Sequence, residues 1–196
     1  MRIFYDCEFL EDGETIRLIS IGMVREDGTR RYWVVKDWKL LKDVYAHDWL
    51  RENVFPSLPA TVGLDGIPYW DELHRDYDKR VVTSREQIAE DVKNFVLSTP
   101  NPELWAYYGA YDHVALCQLF GRMIDLPAGF PMYTNDLKSE IVRLGNPYYP
   151  EQSEGHHNAL SDAIWNKETF YHITENRPIT RALRALQDSF DRGSRD

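Results

Sequence analysis

Two carboxylates stand one residue apart in Asp6-Cys7-Glu8, directly after the apolar run Ile3-Phe4-Tyr5. In an extended strand, side chains at i and i+2 leave the same face, so Asp6 and Glu8 are aimed at one point. Like charges crowded together are costly unless a cation neutralises them, and hard oxygen donors suit Mg²⁺ or Mn²⁺. Alone, such a pair is more often a solvated turn at a strand end than half of a metal site. The rest of the chain decides between the two.

Two further acids are placed to return to the same point. Asp112 follows the apolar stretch 104–108 and Gly109, and it precedes Val114, Leu116, Leu119 and Phe120, a pattern of strand, tight turn and helix. Asp162 precedes Ala163, Ile164, Trp165, Thr169 and Phe170, spaced like one helical face, with His157 five residues earlier. Five residues are about one and a half helical turns, so a histidine in the lead-in can overhang a site that Asp162 lines. Taken one by one, Asp112 and Asp162 also read as helix N-terminal acids favoured by the dipole, and His157 as a solvated loop residue. The ordered set of D-x-E, Tyr111-Asp112 and H-x4-D is what outweighs those readings.

With these three motifs, in this order and over about 160 residues, the chain resembles the DEDDh 3′-to-5′ exonucleases. The start Tyr5-Asp6-Cys7-Glu8-Phe9-Leu10-Glu11-Asp12-Gly13, followed by Ile16-Arg17-Leu18-Ile19-Ser20-Ile21-Gly22, is most similar to their bacterial polyadenylate-specific exoribonuclease branch. The resemblance implies an RNase H-like α/β fold and hydrolysis of phosphodiester bonds from RNA 3′ ends, single-stranded or overhanging, with nucleoside 5′-monophosphates as products. It implies two divalent cations, Mg²⁺ or Mn²⁺, held by Asp6, Glu8, Asp112 and Asp162, with Asp6 bridging and His157 as general base. It also implies a homodimer. A DNA 3′-to-5′ exonuclease, and an RNase H-like module that binds nucleic acid without turnover, are the competing readings.

Many members of the resembled group carry His-Asn where this chain has Tyr107 and Tyr108. Contacts to the terminal nucleotide are therefore expected from Cys7, Phe9, Tyr108 and Tyr111, with Phe9 wedged against a base. His156 adjoins His157 but lies six residues from Asp162 rather than five, and His113 points about 100° away from Asp112 on a helix, so His157 is the histidine assigned to the site.

The 196 residues, 43% hydrophobic and 13% aromatic, suffice for one substantial core, and the expected organisation is a single domain over 1–196. Cys7 and Cys117 lie in apolar contexts and read as reduced thiols of a cytoplasmic protein. No apolar run approaches the roughly 20 residues of a membrane span. The net charge of −9 runs against the basic excess of most nucleic-acid binders. An enzyme gripping a few terminal nucleotides needs few phosphate contacts, and cations at the acids would offset the local charge.

Strands are expected at 2–6, 16–24 and 29–35, joined by Asp12-Gly13 and Asp27-Gly28 hairpin turns, with a fourth at 104–107 and a fifth at 132–136. The expected sheet is thus mixed and five-stranded: a three-strand antiparallel meander plus parallel strands, flanked by helices. Helices are expected at 40–53, from Ser84-Arg85-Glu86-Gln87, a capping box, through Val96, and from 112 to about 123. The stretch 55–77 is expected to be a long loop within an irregular aromatic-rich insertion at 37–83, whose Trp and Tyr residues stack bases or pack the core. Ile179, Leu183, Leu186 and Phe190 mark an apolar helical stripe near the C-terminus, and 191–196 a fraying tail.

Overall fold

A computed structural model describes residues 1–71 and 81–175; the apolar stripe at 179–190 and the tail lie outside the described residues. The chain starts with β1 (Arg2–Glu11), β2 (Ile16–Arg25) and β3 (Arg30–Val35), an antiparallel meander. Gly13 and Gly28 occupy the left-handed region at φ 88° and 89°, the conformation each hairpin turn requires. The first strand runs five residues past its expected end at Asp6, because Asp6 to Glu11 keep pairing with β2 through a bulge between Glu8 and Phe9. The two carboxylates therefore sit inside a strand rather than at its end.

Two helices follow, α1 (Trp38–Ala46) and α2 (Asp48–Asn53), where the sequence suggests one helix over 40–53. His47 breaks them: its backbone is extended at φ −85° and ψ 115°, and its Nδ1 accepts from the Leu50 N–H to cap α2. The expected loop over 55–77 instead contains a 3₁₀ turn (Phe55–Ser57) and a hairpin of β4 (Ala60–Val62) and β5 (Pro68–Trp70), within its described part. Next come β6 (Val82–Thr83) and α3 (Arg85–Leu97), the latter capped by Ser84 accepting from the Gln87 N–H, as the capping-box residues suggest. The last elements are β7 (Glu103–Ala106), α4 (Ala110–Cys117), β8 (Asn135–Asp136), α5 (Leu137–Arg143) and α6 (Ala159–Glu175). α4 stops six residues short of the expected 123, and only two residues of the expected strand at 132–136 pair.

The main sheet is mixed, with six strands rather than five, in the order β6-β3-β2-β1-β7-β8. The extra strand is β6, whose two residues run parallel to Val34 and Val35 of β3. Parallel pairing also joins β1 to β7 and β7 to β8. Alternation along β1 sends Ile3, Tyr5 and Cys7 to one face and Phe4, Asp6 and Glu8 to the other. The first set joins the principal core with Ile88, Val92 and Leu104. Phe4 joins a second cluster with Leu137, Ile141, Ala163, Phe170 and Ile173 under α5 and α6. Both cysteines are buried and free. Among the described residues, no helix is long and apolar enough to cross a membrane.

Candidate metal centre

Asp6 and Glu8 share the β1 face that Phe4 begins, and α6 brings Asp162 to them. One carboxylate oxygen from each of Asp6, Glu8 and Asp162 lies within 4.8 Å of the others. Such a close approach depends on Gly22, the register partner of Asp6 on β2. A Cβ at Gly22 would stand 2.3 Å from the Ala159 carbonyl oxygen and 2.3 Å from the Leu160 nitrogen, so only glycine lets the start of α6 lie on the sheet here. The Asn158 side chain caps that start, its Oδ1 accepting from the N–H groups of Leu160 (3.2 Å) and Ser161 (3.1 Å). One turn beyond Asp162, buried Asn166 donates from Nδ2 to the Tyr5 carbonyl at 3.2 Å. Asp162 is thus fixed between two attachments of its helix, one to β2 at Gly22 and one to β1 at Tyr5.

Asp112 arrives from the other side of β1. Parallel pairing with β7 covers only Arg2 to Phe4, after which the two strands part. In the opening, Asp112 Oδ1 accepts from the Cys7 N–H at 2.8 Å, and the side chain is buried. The turn before α4 is fastened by Asp136, which accepts from Gly109 N–H at 2.9 Å and Ser139 N–H at 2.6 Å. Asp112 therefore reaches β1 beside Cys7, although it is not part of the 4.8 Å group.

Burial and mutual repulsion hold these acids toward their protonated forms. The Asp6 carboxyl is pushed well above the usual carboxylate range by burial first, then by the charges of Asp112, Glu8 and Asp162. Glu8 is raised to about 8, again by burial and then by Asp162 and Asp112. Asp112 is raised to about 7 by burial, against the opposing Cys7 amide. Asp162 is raised by burial, while a Gln152 hydrogen bond, the charges of His157 and His156 and the His157 amide pull the other way. The Ser20 hydroxyl, register partner of Glu8, is buried without a hydrogen-bond partner among the described residues. Clustered oxygen donors that cannot ionise together, with an orphaned hydroxyl beside them, fit a hard divalent cation.

His157 lies in the loop before α6 with a left-handed backbone, φ 59°. Its carbonyl accepts from Ser57 Oγ at 2.6 Å, and its ring meets Trp49 edge to face with centroids 4.9 Å apart. His156 is exposed and bonds the Gln152 carbonyl at 2.8 Å, its ring centroid 6.3 Å from that of His157, while His113 bonds the Met132 carbonyl at 3.1 Å. Phe9 and Tyr111 stack with centroids 6.0 Å apart and planes 17° apart, and Tyr111 is 52% exposed. Tyr108 is exposed at φ 53°. Tyr107 turns inward instead, its hydroxyl 3.1 Å from that of Tyr149. The Cys7 side chain is buried, and its N–H donates to Asp112 Oδ1 at 2.8 Å.

Sequence reasoning missed Gly22, Asn158, Asn166, Ser57 and Trp49. Asn158 had a readable signal, an Asn just before an apolar-periodic segment. Gly22 and Asn166 matter through helix-on-strand contacts for which no local pattern exists.

The gathered acids on a mixed α/β sheet belong to a recognisable class. A model of the 3′-5′ exoribonuclease Rv2179c-like domain matches residues 1–174, and the chain belongs to this family. All of the residues described at this site fall inside the matched region. Among individual relatives, the 3′-5′ exoribonuclease Rv2179c of Mycobacterium tuberculosis (strain ATCC 25618 / H37Rv) is 42% identical over 176 residues, covering 89% of this chain and 94% of that protein. The 3′-5′ exoribonuclease MT2234.1 of Mycobacterium tuberculosis (strain CDC 1551 / Oshkosh) matches with the same identity and coverage.

Proposed function

We propose that this chain is a metal-dependent 3′-to-5′ exoribonuclease of DEDDh type on an RNase H-like scaffold, acting on single-stranded or overhanging RNA 3′ ends. Membership of an exoribonuclease family supports the reaction. The observation that carries the site is the convergence of Asp6, Glu8 and Asp162 within 4.8 Å, with Asp112 tethered to the strand between them. In this reading the whole chain is one domain working in the cytoplasm as a homodimer. The polyadenylate-specific branch is the subgroup that its N-terminal motif favours.

Asp6, Glu8, Asp162 and Asp112 would hold two divalent cations, Mg²⁺ or Mn²⁺, which when bound would supply charge stabilisation for in-line phosphodiester hydrolysis. By the resemblance to the DEDDh enzymes, Asp6 would be the ligand shared between them. Asp112 spends one oxygen on the Cys7 amide and keeps the other for the site. His157 accepts the proton of the attacking water, a task suited to an imidazole. Phe9 and the exposed ring of Tyr111 offer a stacking surface for a terminal base, with Tyr108 at the rim.

The test is incubation of the purified protein with 5′-labelled single-stranded RNA and matched DNA, with Mg²⁺, Mn²⁺ or chelator. Progressive 3′ shortening of RNA alone, abolished by chelator, is the expected result. Equal shortening of DNA would replace the ribonuclease assignment with a general exonuclease. Binding without shortening would leave a nucleic-acid-binding module.

A further inference from the structure

The segment between β3 and β6 supplies none of the acids, yet it grips the part of the site that lies outside regular structure. His157 has a left-handed backbone, which a residue other than glycine keeps only when its surroundings impose it. Here the imposition comes from about 100 residues upstream. Ser57 Oγ, whose single proton is shared between the His157 carbonyl at 2.6 Å and the Val54 carbonyl at 2.8 Å, faces His157, and the Ser57 carbonyl accepts from Asn158 Nδ2 at 3.4 Å. Beside them, Trp49 of α2 stands edge to face with the imidazole, its plane turned by 77°. Both contacts have firm footing. Ser57 ends the 3₁₀ turn whose Phe55 is buried against Tyr45, with centroids 5.0 Å apart, and Trp49 precedes Leu50, buried in the principal core. Trp49 is 49% exposed, so packing of the core does not account for where it lies.

We infer that α2 and the 3₁₀ turn form a clamp that fixes the backbone and ring orientation of His157 beside Asp162, making Trp49 and Ser57 positioning residues that act on turnover through His157. The inference rests on the reading of His157 as the general base. A base misplaced by about 1 Å can cost as much as a hundredfold in rate, so a partly loosened clamp is expected to cost about tenfold.

The experiment compares Trp49→Ala, Trp49→Phe and Ser57→Ala, each alone and combined with His157→Ala, on single-stranded RNA at saturating Mn²⁺. Expected are kcat losses of about tenfold for Trp49→Ala and Ser57→Ala with KM nearly unchanged, and recovery of most of the rate in Trp49→Phe. In the His157→Ala background neither truncation should lower the residual rate further. Independently of activity, the imidazole proton resonances of His157 should lose their ring-current shift in Trp49→Ala. Undiminished kcat, a rise in KM alone, losses that multiply with His157→Ala, or unchanged imidazole resonances would each overturn the clamp while leaving His157 its role. Full turnover by His157→Ala would overturn the general-base reading, and the clamp with it.

Discussion

The acids and the histidine are held in place by opposite structural means. Asp6 and Glu8 lie within a ten-residue strand paired on one side along its length, and Asp162 lies in the first turn of a seventeen-residue helix seated on that strand's neighbour. Their positions follow from ladders and helix packing. His157 lies in a loop, in a left-handed conformation, held by one hydroxyl and one ring edge, while the side chain of its neighbour Asn158 donates to the Ser57 carbonyl. Repelling carboxylates need a stiff frame, because each would otherwise swing into solvent and ionise freely. A proton acceptor has only to meet one water, and side-chain contacts suffice to aim it. The stiff part should therefore fail through fold and ion affinity, the loop part through rate alone.

The largest effect should come from Asp6→Ala, with turnover falling on the order of 10³-fold or more. Because the substitution removes a repelling carboxylate, the variant should melt at a higher temperature than the parent without divalent ions. A lower melting temperature would show Asp6 to be structural. Next comes Gly22→Ala, which forces a methyl into the backbone of α6 and should cost about 3 kcal/mol in denaturant unfolding, with weakened Mn²⁺ affinity. Unchanged stability would mean that α6 can lift without consequence.

A third expectation concerns pH. Glu8 and Asp112 carry folded values of about 8 and about 7 against ordinary values of 4.5 and 3.8. Between those limits the folded chain binds more protons than the unfolded one, so stability falls as pH rises from about 4 to about 8. Thermal melts in chelator should show this decline, and saturating Mg²⁺ or Mn²⁺ should flatten it; parallel profiles with and without the ion would argue that none binds. The smallest effect belongs to Tyr111→Ala, which unstacks Phe9 and should raise KM for RNA several-fold, about 1 kcal/mol, with kcat little changed. A loss confined to kcat would move Tyr111 from binding into the chemical step.

Much of the stiff part was readable in the sequence, and little of the loop part. Alternation places Asp6 with Glu8, the Asp-Gly pairs mark both hairpins, and Ser84 announces α3, because each of these rules acts over a few neighbouring residues. Strand β6 pairs through only two residues, too few to leave a period, and the strand expected at 132–136 is cut to the two residues of β8. The break at His47 escaped because a capping histidine nitrogen leaves no strong sequence mark. The reach of Ser57 and Trp49 to His157 spans about 100 positions and obeys no local rule.

The fork between β1 and β7 has a practical consequence for anyone dissecting the site. Where the strands separate, the Cys7 amide loses a laddered neighbour and takes Asp112 in its place. Alanine there would strand a buried donor and blur inactivation with unfolding. Asparagine keeps an oxygen for that amide and discards only the charge, so Asp112→Asn should stay folded while losing ion-dependent turnover. In this molecule the side chain that completes a broken sheet is the same one that the chemistry would claim.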